Sequence, residues 1–132
     1  MKKRRTMTKA EMEFYRRRLL GLKKRHGGIL TDLEEEALRP SGSAADGTLA
    51  DVPSHAGELS AEEYAEEVTL GLLESESKLL AEIDHALQRL EQGTFGRCEE
   101  CAQNISQRRL RALPYARYCL RCARKLQDQT QK

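Results

Sequence analysis

Residues 98–122 read CEECAQNISQRRLRALPYARYCLRC and hold all four cysteines of the chain, as two CxxC pairs with 17 residues between them. A CxxC turn aims two sulfurs at one point, and two such turns make a tetrahedron around a metal. Four thiolates fill every position, so the zinc this spacing predicts is structural and leaves no site for a reactive water. It would also supply folding energy that a module this small cannot draw from apolar burial. A redox dithiol is the main rival, but it needs one CxxC and leaves the second unexplained. Iron–sulfur clusters also use four cysteines, at other usual spacings. The expectation is one structural zinc on Cys98, Cys101, Cys119 and Cys122.

The rest of the 132 residues must fold around this module with little bulk. Charged residues make up 33% and aromatic residues 5%, without a tryptophan. Long helices suit that composition better than a compact globule. Charge runs in blocks: residues 1–39 carry +6, residues 40–93 carry −10 and residues 94–132 carry +6. Blocks of alternating sign suggest segments that pair with one another. No apolar run approaches the roughly 20 residues of a membrane span. The basic start MKKRRTMTKAEMEF lacks the apolar stretch of a secretory signal. The expected compartment is a reducing cytoplasm, where close cysteine pairs bind metal more often than they form disulfides.

Thr8 and Glu11 form a capping box. After it, Met12, Tyr15, Leu19, Leu22, His26, Ile29 and Leu33 recur in alternating steps of 3 and 4, a heptad seam. The seam keeps its phase through Gly27-Gly28, so one helix is expected over about residues 9–38, ending before Pro40. Residues 40–59 lack a period and read as a loop. Ser60 and Glu63 cap a second helix, with Val68, Leu72, Leu79, Ile83, Ala86 and Leu90 as its apolar stripe and Gly93 as its stop. Two helices of matched length, one mostly basic and one mostly acidic, make an antiparallel coiled-coil hairpin. The fold class is therefore all-α: a long hairpin, a small four-cysteine zinc-finger module and a short C-terminal helix led by Ala123 to Leu126. The expected organisation is a basic N-terminus over 1–8, the hairpin over 9–93 with its tip loop at about 40–59, the finger and last helix over 94–126, and a frayed tail over 127–132.

Arg97, Arg108, Arg109, Arg111, Arg117, Arg121, Arg124 and Lys125 crowd around the cysteines. One reading is a surface for a polyanion, either nucleic acid or an acidic protein patch. The other is a solvated face that balances a dianionic zinc–thiolate centre and the acidic second helix. Phe95, Tyr115 and Tyr118 can stack on bases or simply pack the finger. His26 reads as a packed seam residue, and His55 and His85 as solvated. No activated nucleophile, phosphate loop or carboxylate pair in a defined pocket points to an enzyme.

A coiled-coil hairpin followed by GTFGRCEEC and ISQRRLRALPYARYCLRC resembles the DksA/TraR family of bacterial transcription regulators, over about residues 9–126. The resemblance implies one zinc in the finger and RNA polymerase as partner. It implies a coiled coil that enters the polymerase's secondary channel. The expected regulator is a monomer that binds no specific DNA sequence. Contact there changes the lifetime of promoter open complexes, often together with guanosine tetraphosphate. The family's tip reads Asp-x-x-Asp-x-Ala. Here Asp51 and Ala56 match, and Ser54 stands in place of the second acid. The family's basic positions for guanosine tetraphosphate fall on Glu82, Leu113 and Ala123, and none of these is basic. The expectation is a regulator without that nucleotide site.

Overall fold

A computed structural model describes residues 7–39 and 60–130 of the chain. The tip motif Asp51, Ser54 and Ala56 lies outside the described residues. Four helices follow in order: α1 (Lys9–Leu38), α2 (Ala61–Gln92), α3 (Gln107–Ala112) and α4 (Leu120–Thr130). Among the described residues the only extended pairing is the isolated antiparallel bridge of Arg97 with Asn104. No helix is long and apolar enough to cross a membrane.

The helix ends follow their caps. The Glu11 N–H donates to Thr8 Oγ1 at 3.1 Å, and the Thr8 N–H reaches back to Glu11 Oε1 at 3.3 Å, closing the capping box. At α2 the Glu63 N–H donates to Ser60 Oγ at 3.1 Å. The helix stops at Gly93, whose φ of +79° is the left-handed conformation that closes helix ends. α1 runs unbroken through Gly27-Gly28. Two glycines cost about 2 kcal/mol of helix propensity, and the seam that stays in phase on both sides offsets it.

The chain folds as two compact units, Met1–Lys24 with Leu80–Lys132, and Arg25–Leu79. In the first unit the core is Tyr15 and Leu19 of α1, Ile83 and Ala86 of α2, and Phe95, Ile105, Leu110 and Pro114 of the finger. Burying a Leu or Ile side chain contributes about 2 kcal/mol, so these residues dominate the unit's apolar stabilisation. Tyr15 joins helix to finger: its hydroxyl donates to Gln107 Oε1 at 2.6 Å, and its ring lies 5.2 Å from that of Phe95.

The second unit departs from the expected stripe. Val68 and Leu72 are exposed, at 42% and 48%. The half-buried positions of α2 there are instead Thr69, Leu73 and Glu76, with Leu79 half-buried as expected. Choosing by apolarity puts the stripe one residue early, because the true heptad carries two polar residues. Glu76 is satisfied there by the opposing seam residue: His26 Nδ1 lies 2.7 Å from Glu76 Oε2. A paired polar group can replace an apolar one in a seam because the partner supplies what water would.

Two further differences lie in the finger. Residues 107–112 form α3, a helix that no periodicity in the sequence announces. Ser106 caps it, accepting from the Arg109 N–H at 3.2 Å, and it ends just before Pro114. Six residues are too few to show a period, so the cap and the proline are its only signals. α4 begins at Leu120, three residues before the expected start, and extends to Thr130, past the expected end at Leu126.

Candidate metal centre

The segment 93–98 carries the chain off α2 and into the first cysteine pair. The Thr94 N–H donates to Arg89 O at 3.0 Å. Gly96 has a φ of +86°, and a Cβ placed on it would come within 3.1 Å of the Met7 side chain. Only glycine fits that position. The next residues double back on themselves. The Ile105 N–H donates to Gly96 O at 2.7 Å, and the Cys98 N–H to Gln103 O at 2.8 Å. Inside this loop the Ala102 N–H donates to Cys98 O at 2.9 Å, closing the Cys98–Cys101 turn. Ala102 takes the left-handed conformation, with φ of 61°.

The second pair straddles the start of α4, with Cys119 just before the helix and Cys122 in its first turn. The Ala123 N–H donates to Cys119 O at 2.9 Å. A helix N-terminus stabilises the negative charge of a thiolate. The two arms are tied together by the Glu99 N–H, which donates to Arg117 O at 2.9 Å.

This brings all four sulfurs within 4.8 Å of one another, with Cys101 and Cys119 Sγ 3.8 Å apart. Four bonds of about 2.3 Å to a tetrahedral zinc put their sulfurs roughly 3.8 Å apart. The cysteines are free, so no disulfide competes for them. Burial pushes the Cys98 thiol up, but the N–H groups of Cys101, Cys119 and Glu100 outweigh it and pull the thiol down to about 6. Burial, then hydrogen bonds from the three other thiols, pushes Cys122 up to about 12. Four sulfurs this close do not all ionise without a cation among them. The donor set, its closure and its distances fit one zinc held by Cys98, Cys101, Cys119 and Cys122. When bound, that zinc is a scaffold with no open coordination position.

Around the centre runs a charge network that the sequence did not disclose. Arg89 of α2 is buried, at 7% exposure. Its guanidinium donates to the carbonyls of Tyr115 and Ala116, each at 3.4 Å, and lies 3.7 Å from Glu99. Arg117 donates to Glu99 Oε2 at 2.9 Å and pairs with Glu82 at 3.4 Å. Burial lowers the Arg89 pKa, with Glu99 opposing it. The hydrogen bond to Glu99 raises that of Arg117. Glu99 sits between the two first ligands and Arg117 two residues before the third, so the network straps both arms of the metal site to α2.

The arginines divide accordingly. Arg109 donates to Tyr118 O at 2.9 Å, and Arg117 is held by two carboxylates. Both serve the finger's own fold. Arg108, Arg111 and Arg121 are exposed and Arg97 is half-buried. Glu82 is spent on Arg117, while Leu113 and Ala123 are half-buried. Of the rings, Phe95 is buried against Tyr15, and Tyr115 and Tyr118 are half-buried.

Comparison with known proteins places this geometry. Residues 93–128 match the model of the prokaryotic dksA/traR C4-type zinc finger. The chain is 42% identical over 67 residues to an uncharacterised protein of Aquifex aeolicus, a match spanning 46% of that protein, less than half its length. It is 30% identical over 112 residues to the RNA polymerase-binding transcription factor DksA of Caulobacter vibrioides, covering 83% of this chain and 71% of that one. The solved structure of transcription factor DksA2 from Pseudomonas aeruginosa superposes with a TM-score of 0.70. It is 30% identical, and the match covers 94% of this chain and 88% of that one.

Proposed function

The chain belongs to the DksA/TraR family of zinc-finger transcription factors, and from that premise we propose that it binds RNA polymerase through the secondary channel and modulates initiation. The observation that carries the reading is the likeness to the Caulobacter polymerase-binding factor, which extends over most of both chains rather than the finger alone. It acts as a cytoplasmic monomer, as a regulatory factor and not an enzyme, and it recognises no specific DNA sequence. The zinc centre sets the base of the hairpin, and the working residues are those of the tip, Asp51, Ser54 and Ala56. Asp51 keeps the family's first acid. Ser54 lacks the second carboxylate, so its effect on initiation is weaker than that of a two-acid tip.

Guanosine tetraphosphate is not a ligand of the family's type here. A carboxylate at Glu82, already paired with Arg117, stands where that site needs a cation, and Leu113 and Ala123 supply no charge. Calorimetry with the nucleotide should show no binding in the micromolar range. Micromolar binding that is lost on changing Glu82, Leu113 or Ala123 would refute this.

The direct test is retention on immobilised core RNA polymerase. Wild type is retained, and deletion of residues 40–59 releases it. A second reading has one observation in its favour: Arg108, Arg111 and Arg121 are exposed. It makes the finger a nucleic-acid module, and it predicts salt-sensitive DNA binding without polymerase.

A further inference from the structure

The face of α2 around Val68 and Leu72, which apolarity assigned to the seam, has no partner in its own unit among the described residues. Tyr64, Val68 and Leu72 are 63%, 42% and 48% exposed. Residues four apart on a helix advance by roughly 40° around its axis, so the three form one continuous row. The seam residues Thr69, Leu73 and Glu76 face about 100° away. The same row in the first unit is Glu82, Ala86 and Arg89, and there the finger covers it through Arg117, Tyr115 and Ala116. Beyond the finger's reach the row turns from mixed to apolar. A run of three large apolar side chains left in water at four-residue spacing marks a helix-docking surface more than chance exposure.

The charge beside it specifies what docks. Glu63, Glu67 and Glu74 lie on the adjoining outer face, all exposed. Lys78 is the one basic residue between Ala61 and Leu80, and it is paired with Glu74 at 3.0 Å. An apolar strip edged by carboxylates complements an apolar groove edged by lysine or arginine.

We infer that the Tyr64–Val68–Leu72 row is the face of the hairpin that docks on a cation-edged apolar groove of RNA polymerase. The inference rests on the reading that polymerase is the partner, and it adds a binding surface distinct from the tip and from the finger. The tip loop and this row would then share the affinity, and the tip alone would act on the enzyme. Apolar anchors of this kind carry most of the energy of a protein interface.

The experiment is titration of labelled full-length, zinc-loaded protein with core RNA polymerase. It compares wild type, the combined Tyr64→Ser, Val68→Ser and Leu72→Gln variant, and the paired charge reversal Glu63→Lys with Glu67→Lys. Circular dichroism and zinc content are read in parallel, and Leu72→Gln alone serves if the combined variant loses helix. The triple variant should bind at least tenfold more weakly with zinc content unchanged. The charge reversal should weaken binding severalfold, with a flatter salt dependence. Wild-type binding that the triple variant matches within twofold overturns this inference and leaves the polymerase reading standing. Absence of wild-type binding overturns both. If sedimentation shows a wild-type dimer that the triple variant dissolves, with polymerase affinity unchanged, the row serves a second copy and the inference fails.

Discussion

The two units of this chain use the same two helices and hold them in different ways. In Met1–Lys24 with Leu80–Lys132, the helices close on a third layer, the finger. Tyr15, Leu19, Ile83 and Leu110 are essentially inaccessible there. Metal ligation and a buried arginine network reinforce that core. In Arg25–Leu79 the helices have one seam, its members half-buried, and a histidine–glutamate pair occupies one layer. What differs is the number of faces each helix can bury. One seam excludes water from one stripe, whereas a finger packed on the pair covers a second. The difference predicts a stable first unit and a marginal second one.

The largest effect should come from removing the metal. Chelation or Cys101→Ser should abolish the ordered finger, because a structural zinc contributes on the order of 10 kcal/mol in small fingers. Loss of dispersed amide signals over residues 94–122, with zinc content measured alongside, checks this. Acidification should act in the same direction, since protons compete with zinc for the four thiolates. A finger that stays ordered without zinc would erase the contrast between the units.

Core truncation gives the next effect. Leu19→Ala should cost about 3 kcal/mol and Leu33→Ala about 1 kcal/mol, since only the first leaves a closed cavity. Arg89→Ala should fall near Leu19→Ala, at about 3 kcal/mol, because it removes a buried side chain and leaves the Tyr115 and Ala116 carbonyls without their donor, while Glu99 keeps Arg117. Chemical denaturation reads all three. Equal costs for the two leucines would mean that the second unit is as well packed as the first.

Smaller again is the seam pair. His26→Leu should destabilise the second unit by about 1–2 kcal/mol, because Glu76 loses its partner in a half-buried place. Adding Glu76→Leu should recover most of that loss. Hydrogen exchange over residues 25–38 follows it locally. The smallest change is a gain: Ala102→Gly should stabilise the finger by about 1 kcal/mol, since glycine adopts the left-handed conformation without strain.

How far the sequence could be read follows the same division. The metal ligands were legible because two CxxC pairs admit few geometries, and α1 because all seven seam positions match its least exposed face. Both capping boxes marked their helix starts, and Gly93 its helix end. The far half of α2 was misread because its heptad runs through Thr69 and Glu76, and apolarity cannot see a polar residue whose partner is 50 positions away. α3 escaped because it is one turn and a half. The Arg89–Glu99–Arg117–Glu82 network was invisible for a related reason: arginines look alike in sequence, and only packing separates Arg109 and Arg117, which fasten the finger, from Arg108 and Arg121, which face solvent. The tip motif falls in residues 40–59, outside the description, so its role rests on family likeness.

That role is also the central claim: the zinc centre is scaffold, and the far end of the hairpin acts on polymerase. The most direct measurement is in vitro transcription with purified RNA polymerase at a promoter whose open complex is short-lived. It compares no added protein, wild type and Asp51→Asn. Wild type should change transcript yield, and Asp51→Asn, still bound to polymerase and still loaded with zinc, should lose most of that change. Transcript yields that are the same with wild type and with no protein would contradict the account.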